Sequence, residues 1–291
     1  MRKYIGEIGL TIAAIIWGSG FVASSMALGH YTPYQILAGR FLIGVILLSI
    51  VFHKKFKGIR KSTLIKGILL GGILYLAFVL QTVGLQFTTP SKNAFLTAVN
   101  VVIVPFIAFF IYRRKLDAFE LTGAIIAVIG IALLSLQFTA VVNMGDVLSL
   151  LCAFAFAFHI FYTARFVENE DPVSITMIQM ITAASIGIVV VVVKGETAFP
   201  VETAALLPLV YLGIFSTTIA YLLQTTAQKF ITETKAAIIL STEALWGTLF
   251  SVIILSELLT VKMGIGAMLI LIAIIISETK INILPLQRRL E

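Results

Sequence analysis

The sequence predicts an all-α polytopic membrane protein, with ten transmembrane helices in a 5+5 inverted-topology repeat. Three observations predict it: an extreme composition, ten apolar segments of spanning length, and a likeness between the two halves of the chain. Of the 291 residues, 59% are hydrophobic and 12% charged, and the mean hydropathy is +1.07. Soluble domains carry about 25% charged residues. A chain this apolar leaves too little polar surface to face water, which excludes a soluble enzyme, a disordered chain and a fibrous protein.

A helix needs about 20 mostly apolar residues to cross a bilayer core of about 30 Å. Ten segments meet this: 8–28, 34–52, 67–87, 93–112, 121–138, 146–166, 173–193, 206–228, 236–255 and 263–279. The first follows Arg2 and Lys3 like a signal peptide, but the segments after it make it a retained helix. The third holds Gly67 and Gly71, a pair that allows close packing within one chain or between two, so a homodimer is one partner to expect. Pro105 is expected to kink the fourth and free backbone carbonyls. The sixth holds the single cysteine, Cys152, inside the apolar run 148–158. One cysteine excludes an internal disulfide and a cysteine-ligated zinc site, so Cys152 reads as packing. Connections are short, which leaves no extramembrane domain.

A net charge of +7 would fit a nucleic-acid partner in a soluble protein. Here the basic residues sit in short runs between apolar segments, so no nucleic acid is expected. Seventeen of the 21 Lys and Arg fall on one side of the ten segments and three (Lys92, Lys194, Lys262) on the other, with Arg40 inside the second segment. That bias places both termini in the cytoplasm of a multi-pass protein in the cell membrane.

Residues 77–94 and 220–237 align without a gap at an offset of 143, with eight of 18 positions identical. The informative matches are Gln81/Gln224, Thr82/Thr225, Phe87/Phe230, Thr89/Thr232 and Lys92/Lys235. The first segments of each half align at an offset of 139, pairing Gly6/Gly145, Glu7/Asp146 and Pro33/Pro172 and setting Arg40 opposite Gln179. The chain divides into a first repeat 1–139, a second repeat 140–280 and a cytoplasmic tail 281–291. Five is odd, so the second half enters from the opposite face. Such inversion marks secondary transporters, whose site lies near the midplane between halves.

Further motifs point to a family. They are Ala14-Ile15-Ile16-Trp17-Gly18-Ser19, residues 33–40, Leu85-Gln86-Phe87-Thr88-Thr89 running into Ala94-Phe95-Leu96-Thr97, Pro105, residues 237–243, Ser256-Glu257 and Gly264-Ile265-Gly266. Their order and spacing resemble the EamA type of the drug/metabolite transporter superfamily over essentially the whole chain. The resemblance implies a ten-helix, five-plus-five fold with a cavity lined mainly by spans one, three, four, six, eight and nine. It implies cargoes such as amino acids, related metabolites and toxic small molecules, often exported. The chain departs from a symmetric pattern: Glu257 is matched by Arg114, and the Trp17-Gly18 pair by Phe156-Ala157.

A charge at the bilayer centre costs about 2.5–3.5 kcal/mol on insertion scales, so it needs a partner, a wet cavity or a function. Glu243 lies about 10 Å into the ninth segment. A carboxyl there carries a proton, meets a substrate amine, or bonds a neighbouring helix. Trp246 follows at i+3 and is expected on the same face, where it would stack on that amine. Asn100 is the repeat mate of Glu243 and either binds a substrate carboxylate or amide, or bridges helices. Arg40 either anchors a substrate carboxylate or gates by ion pairing; the reading favoured here is a side chain that snorkels outward or pairs with carbonyls. Gln81 and Gln224 are mates in spans three and eight, and Tyr221, Gln224 and Gln228 share one face. These line the cavity or bond between helices. Trp17 faces the cavity by the resemblance. His159 is a titrating group or a hydrogen-bonded core residue.

The function predicted is a secondary transporter, an exporter, of small metabolites such as amino acids or amine-bearing compounds, with protons as a coupling partner. Sugars, nucleosides and cationic drugs are the alternative cargoes. No GxxxxGK[ST] or HExxH motif occurs, and Gly18-Ser19-Gly20 is only superficially a nucleophile loop, so no enzyme, cofactor or metal is expected. A channel is the other distant alternative.

Overall fold

The computed structural model describes residues 2–113, 118–135 and 143–279. Among them every regular element is helical: α1 (Arg2–Leu28), α2 (Pro33–Val51), α3 (Lys61–Leu85), α4 (Pro90–Ala98), α5 (Asn100–Tyr112), α6 (Ala118–Ser135), α7 (Met144–Val167), α8 (Pro172–Lys194), α9 (Thr203–Tyr211), α10 (Ala220–Ala227), α11 (Glu233–Ser241), α12 (Glu243–Leu255) and α13 (Val261–Thr279). A π-helix, Leu212–Ile219, joins α9 to α10. Eight helical stretches are long and apolar enough to cross a membrane, and two shorter apolar ones, Leu121–Gly130 and Val261–Ala273, fall in the fifth and tenth expected segments. Large apolar side chains such as Ile50, Phe110 and Val193 stand exposed, as the lipid face of a multi-pass protein requires.

Local chemistry starts these helices at matched places. Thr89 and Thr232 cap α4 and α11 by accepting from the backbone N–H groups of Lys92 and Lys235. Thr32 and Asp171 cap α2 and α8, each ahead of a proline in the first turn. A side-chain cap contributes about 1 kcal/mol, and proline at the first helical position loses no bond. The repeat matches Thr89/Thr232 and Pro33/Pro172 are therefore helix starts.

The fourth and ninth segments are each broken in the middle. Val99 separates α4 from α5, and Thr242 separates α11 from α12. At both breaks the backbone tightens to an i→i−3 bond, Val99 to Leu96 and Thr242 to Ile239. The next residues, Asn100 and Glu243, open the second half-helix. Both second halves run 13 residues and end on a left-handed residue, Arg113 and Ser256, each at φ 53°. Non-glycine residues rarely adopt that conformation. The break does not fall at Pro105, as expected from its missing N–H. Helix α5 continues through Pro105.

Packing is close where glycines allow it. A Cβ on Gly67 would lie 2.5 Å from Cβ of Ile178, and one on Gly71 would lie 2.6 Å from the Gln179 carbonyl. The glycine pair thus seats α3 on α8 of the same chain. Gly18 forms a notch in α1 that takes Trp246 of α12, whose Cβ would lie 2.4 Å from an added Cβ.

Ionic contacts sort the connections into two ends. At one end Glu170 bonds Arg60, Lys66 and Thr63, Lys55 pairs with Asp171, Arg165 lies 3.6 Å from Glu233, and Lys235 pairs with Glu7. At the other, Lys92 pairs with Asp146 at 2.7 Å, Thr88 donates to the same carboxylate, and Glu257 accepts from Ser91 at the start of α4. Burial raises the Glu170 carboxyl, but hydrogen bonds from Lys66 and Thr63 and the Lys66 charge outweigh it, leaving its pKa lowered from 4.5 to about 2.

Two outcomes follow. Gly18→Leu overpacks the α1–α12 notch, a class of change costing about 1–3 kcal/mol, and should lower the melting temperature in detergent, whereas Gly72→Ala, with nothing within 4 Å, should not. Equal melting of both variants would contradict the notch. Glu170 contributes stability that is fully present above pH 4.5 and lost as pH falls toward 2. Melting curves across that window should therefore drop for the wild type and drop less for Glu170→Gln; parallel curves would contradict the assignment.

Candidate functional site

The broken helices and the π-helix converge on one cavity of about 590 Å³, counted with the open space at its mouth. That lies within the range of small-molecule sites, about 300–1,000 Å³. Its walls come from α1, α2, α3, α5, α7, the π-helix, α10, α11 and α12. Aromatic rings of Trp17, Phe21, Phe78, Phe156 and Tyr221 supply most of its apolar surface.

Seven of the eight residues predicted to bind substrate line this cavity: Trp17, Gln81, Asn100, His159, Tyr221, Gln224 and Glu243. Glu243 is 7% exposed, and its carboxyl has no hydrogen-bond or ion-pair partner among the described residues. Asn100 is 4% exposed, and its Oδ1 has no partner. The Oε1 of Gln224 is likewise buried and unpartnered. Trp17 donates from Nε1 to the Ser216 carbonyl at 2.9 Å, and its ring centroid lies 4.8 Å from that of Tyr221. His159 is fully buried and donates from Nε2 to Oε1 of Gln179 at 3.0 Å, its ring edge-on to Tyr221. Gln81 reaches Oγ1 of Thr97 at 3.4 Å.

Two expectations, for Trp246 and Arg40, need correction, and for Gln228 one of the two alternatives is decided. Trp246 is not on the cavity wall; it is half-buried, against the Gly18 notch and beside Phe250. A residue at i+3 sits about 60° off the face of its partner, and the notch captures it on that side. Gln228 leaves the Tyr221–Gln224 face and donates to the Ile160 carbonyl, a helix-to-helix bond. Arg40 does not snorkel. It is 1% exposed and lines the cavity, donating from Nε to Oγ1 of Thr217 at 2.7 Å and from Nη2 to Oγ of Ser216 at 2.9 Å. Span two therefore joins the cavity helices.

The π-helix explains where Arg40 goes. Its wide i→i−5 turns place the run Ser216-Thr217-Thr218 against α2, with Thr218 itself bonding the Gly213 carbonyl. Sequence reasoning missed Ser216, Thr217, Phe78 and Phe156. The signal for the first two was there: adjacent hydroxyls inside an apolar span. Cys152 is buried 3.8 Å from Thr97, in packing contact. Ser19 bonds the Ile16 carbonyl within helix α1 and the Tyr211 hydroxyl of α9.

Residues 4–136 and 143–279 both match the EamA-like transporter family. The chain belongs to that family. A protein of Archaeoglobus fulgidus named an uncharacterized transporter is 32% identical over 285 residues, covering 97% of this chain and 88% of its own. Another of that name, from Clostridium kluyveri, is 24% identical over 294 residues, covering 95% and 93%. A solved crystal structure shares the fold, with a TM-score of 0.72 at 16% identity, covering 94% of this chain and 96% of that one. The EamA-like protein is thus similar along its length to proteins named uncharacterized transporters, and its cavity is where a small-molecule cargo is to be sought.

Proposed function

We propose that this protein is a secondary transporter that exports small amine-bearing metabolites, amino acids among them, by alternating access of two antiparallel five-helix halves, 1–139 and 140–280, with 281–291 as tail. Both termini then face the cytoplasm. The observation that carries the reading is the Glu243 carboxyl, which sits unpartnered at a helix break on the wall of a cavity between the halves. Discontinuous helices at the site are the usual way such carriers build binding groups inside a membrane.

Repeat mates support the inversion. Breaks at Val99 and Thr242, the following Asn100 and Glu243, and the left-handed Arg113 and Ser256 all obey the 143 offset found in the sequence. The two ion pairs between halves combine the 143 offset with the 139 offset. Lys92–Asp146 at one end and Lys235–Glu7 at the other use the mates Lys92/Lys235 and Asp146/Glu7. Each is a latch for one end: closing one while opening the other exposes the cavity to each side in turn. Export follows the usual direction of the family.

Glu243 couples the cargo to protons by exclusion. A carboxylate that holds either a proton or an ammonium, never both, exchanges one for the other across the membrane. Rings of Trp17 and Tyr221, both on the cavity wall, are placed to receive the ammonium by cation–π contact.

The test uses proteoliposomes loaded with phenethylamine or L-phenylalanine, with and without a proton gradient. Wild type should show saturable counterflow accelerated by the gradient. Glu243→Gln should lose the acceleration, by tenfold or more, while eluting as a folded monodisperse species. Full gradient-coupled transport by Glu243→Gln would remove this residue as the proton carrier, and unsaturable flux in the wild type would indicate a channel.

A further inference from the structure

The guanidinium of Arg40 has five N–H donors in a planar fork. Protein acceptors engage two of them, the hydroxyls of Thr217 and Ser216. The other donors, including both on Nη1, have no protein acceptor among the described residues. The ring of Phe78 covers the fork, 4.1 Å from Cζ. No carboxylate among the described residues pairs with it, although it is 1% exposed and lies on the cavity wall. Two neutral hydroxyls are poor compensation for a cation withdrawn from water. They do fix its orientation, since together they hold the Nε/Nη2 edge of the fork and leave the Nη1/Nη2 edge open. A tether between α2 and the π-helix would need no charge; a neutral amide would serve. What this arrangement suits is a visiting anion with two oxygens.

We propose that Arg40 is a carboxylate subsite of the cavity, so that the cargo is a zwitterion, an α-amino acid whose ammonium meets Glu243; this rests on the amine-bearing cargo proposed above. Arg40 and Glu243 are the two charged side chains of the cavity wall, and among the described residues neither is paired with an opposite charge. They come from different halves, α2 and α12. A zwitterion that bridged them would add no net charge to the membrane interior. The rings of Trp17, Phe78, Phe156 and Tyr221 between them favour a bulky apolar side chain on that amino acid.

The experiment measures thermal shift and binding of purified protein with three probes of one shape: L-phenylalanine, phenethylamine and 3-phenylpropionate. Each is compared in wild type, Arg40→Gln and Arg40→Lys. Wild type should prefer phenylalanine over phenethylamine by tenfold or more and should also bind phenylpropionate. Arg40→Gln, which can still donate to a hydroxyl, should reduce the preference below twofold and lose phenylpropionate, with phenethylamine unchanged. Arg40→Lys keeps the charge without the fork and should fall between; it also serves if the glutamine variant does not fold. Retained preference for the acid-bearing probes in the variants would overturn the subsite while leaving the amine reading intact. Phenylpropionate binding that depends on Arg40, without any binding of phenethylamine, would uphold the subsite and remove the amine reading. Absence of binding by all three probes to folded wild type would overturn both.

Discussion

A buried guanidinium held by two hydroxyls of a π-helix is the contact on which the centre of this molecule depends. Arg40 on α2 cannot reach water, so its charge must be met from inside the bundle. A regular α-helix in the eighth span would distribute Ser216, Thr217 and Thr218 around its circumference, 100° apart. The wide π turns, with Gly213 pressed against Ile43, bring Ser216 and Thr217 to α2 together. The same segment gives its Ser216 carbonyl to Trp17 of α1. One irregular stretch thus contacts two helices from the N-terminal part of the chain, α1 and α2, and borders the cavity beside them.

The second constraint is the price of backbone breaks in lipid. Freed carbonyls and amides within a bilayer must be protected by protein or by a wet cavity. Val99 is buried and Thr242 half-buried, the residues that follow them, Asn100 and Glu243, are buried, and each break is limited to one tightened turn. That confines the loss to a small region and sets Asn100 and Glu243 beside the cavity at corresponding depths. The chemistry at the mates differs, an amide in one half and a carboxyl in the other. Arg40 likewise faces a neutral mate, Gln179, which serves His159 instead. The matched positions thus share their breaks but not their charges, and a site with one acidic and one basic end becomes possible between them.

Much of this was legible in the residues. Apolar length located the spans, because a bilayer tolerates few charges, and the 143 offset found the mates that cap α4 and α11 and follow the two breaks. Seven of the predicted binding residues reach the cavity because polar side chains in a membrane interior converge on one another. What escaped was geometry finer than periodicity. Nothing in the apolar run around Val99 distinguishes a break from a continuous turn, and Pro105 drew attention six residues too late. Trp246 was misplaced because a heptad-like spacing says nothing of the notch at Gly18 on another helix. Arg40 was misread because its acceptors lie far away in sequence and reach it only through a π-helix.

The central claim is that one cavity opens in turn to both faces under control of mirrored latches. It is tested most directly by accessibility of a single cysteine at Phe156, on the cavity wall, in a Cys152→Ala background. A membrane-impermeant methanethiosulfonate is applied to right-side-out and inside-out vesicles. The account predicts reaction from both faces, speeded from the outer face by Asp146→Asn and from the inner face by Glu7→Gln. Reaction from one face alone, with neither substitution changing it, would contradict it.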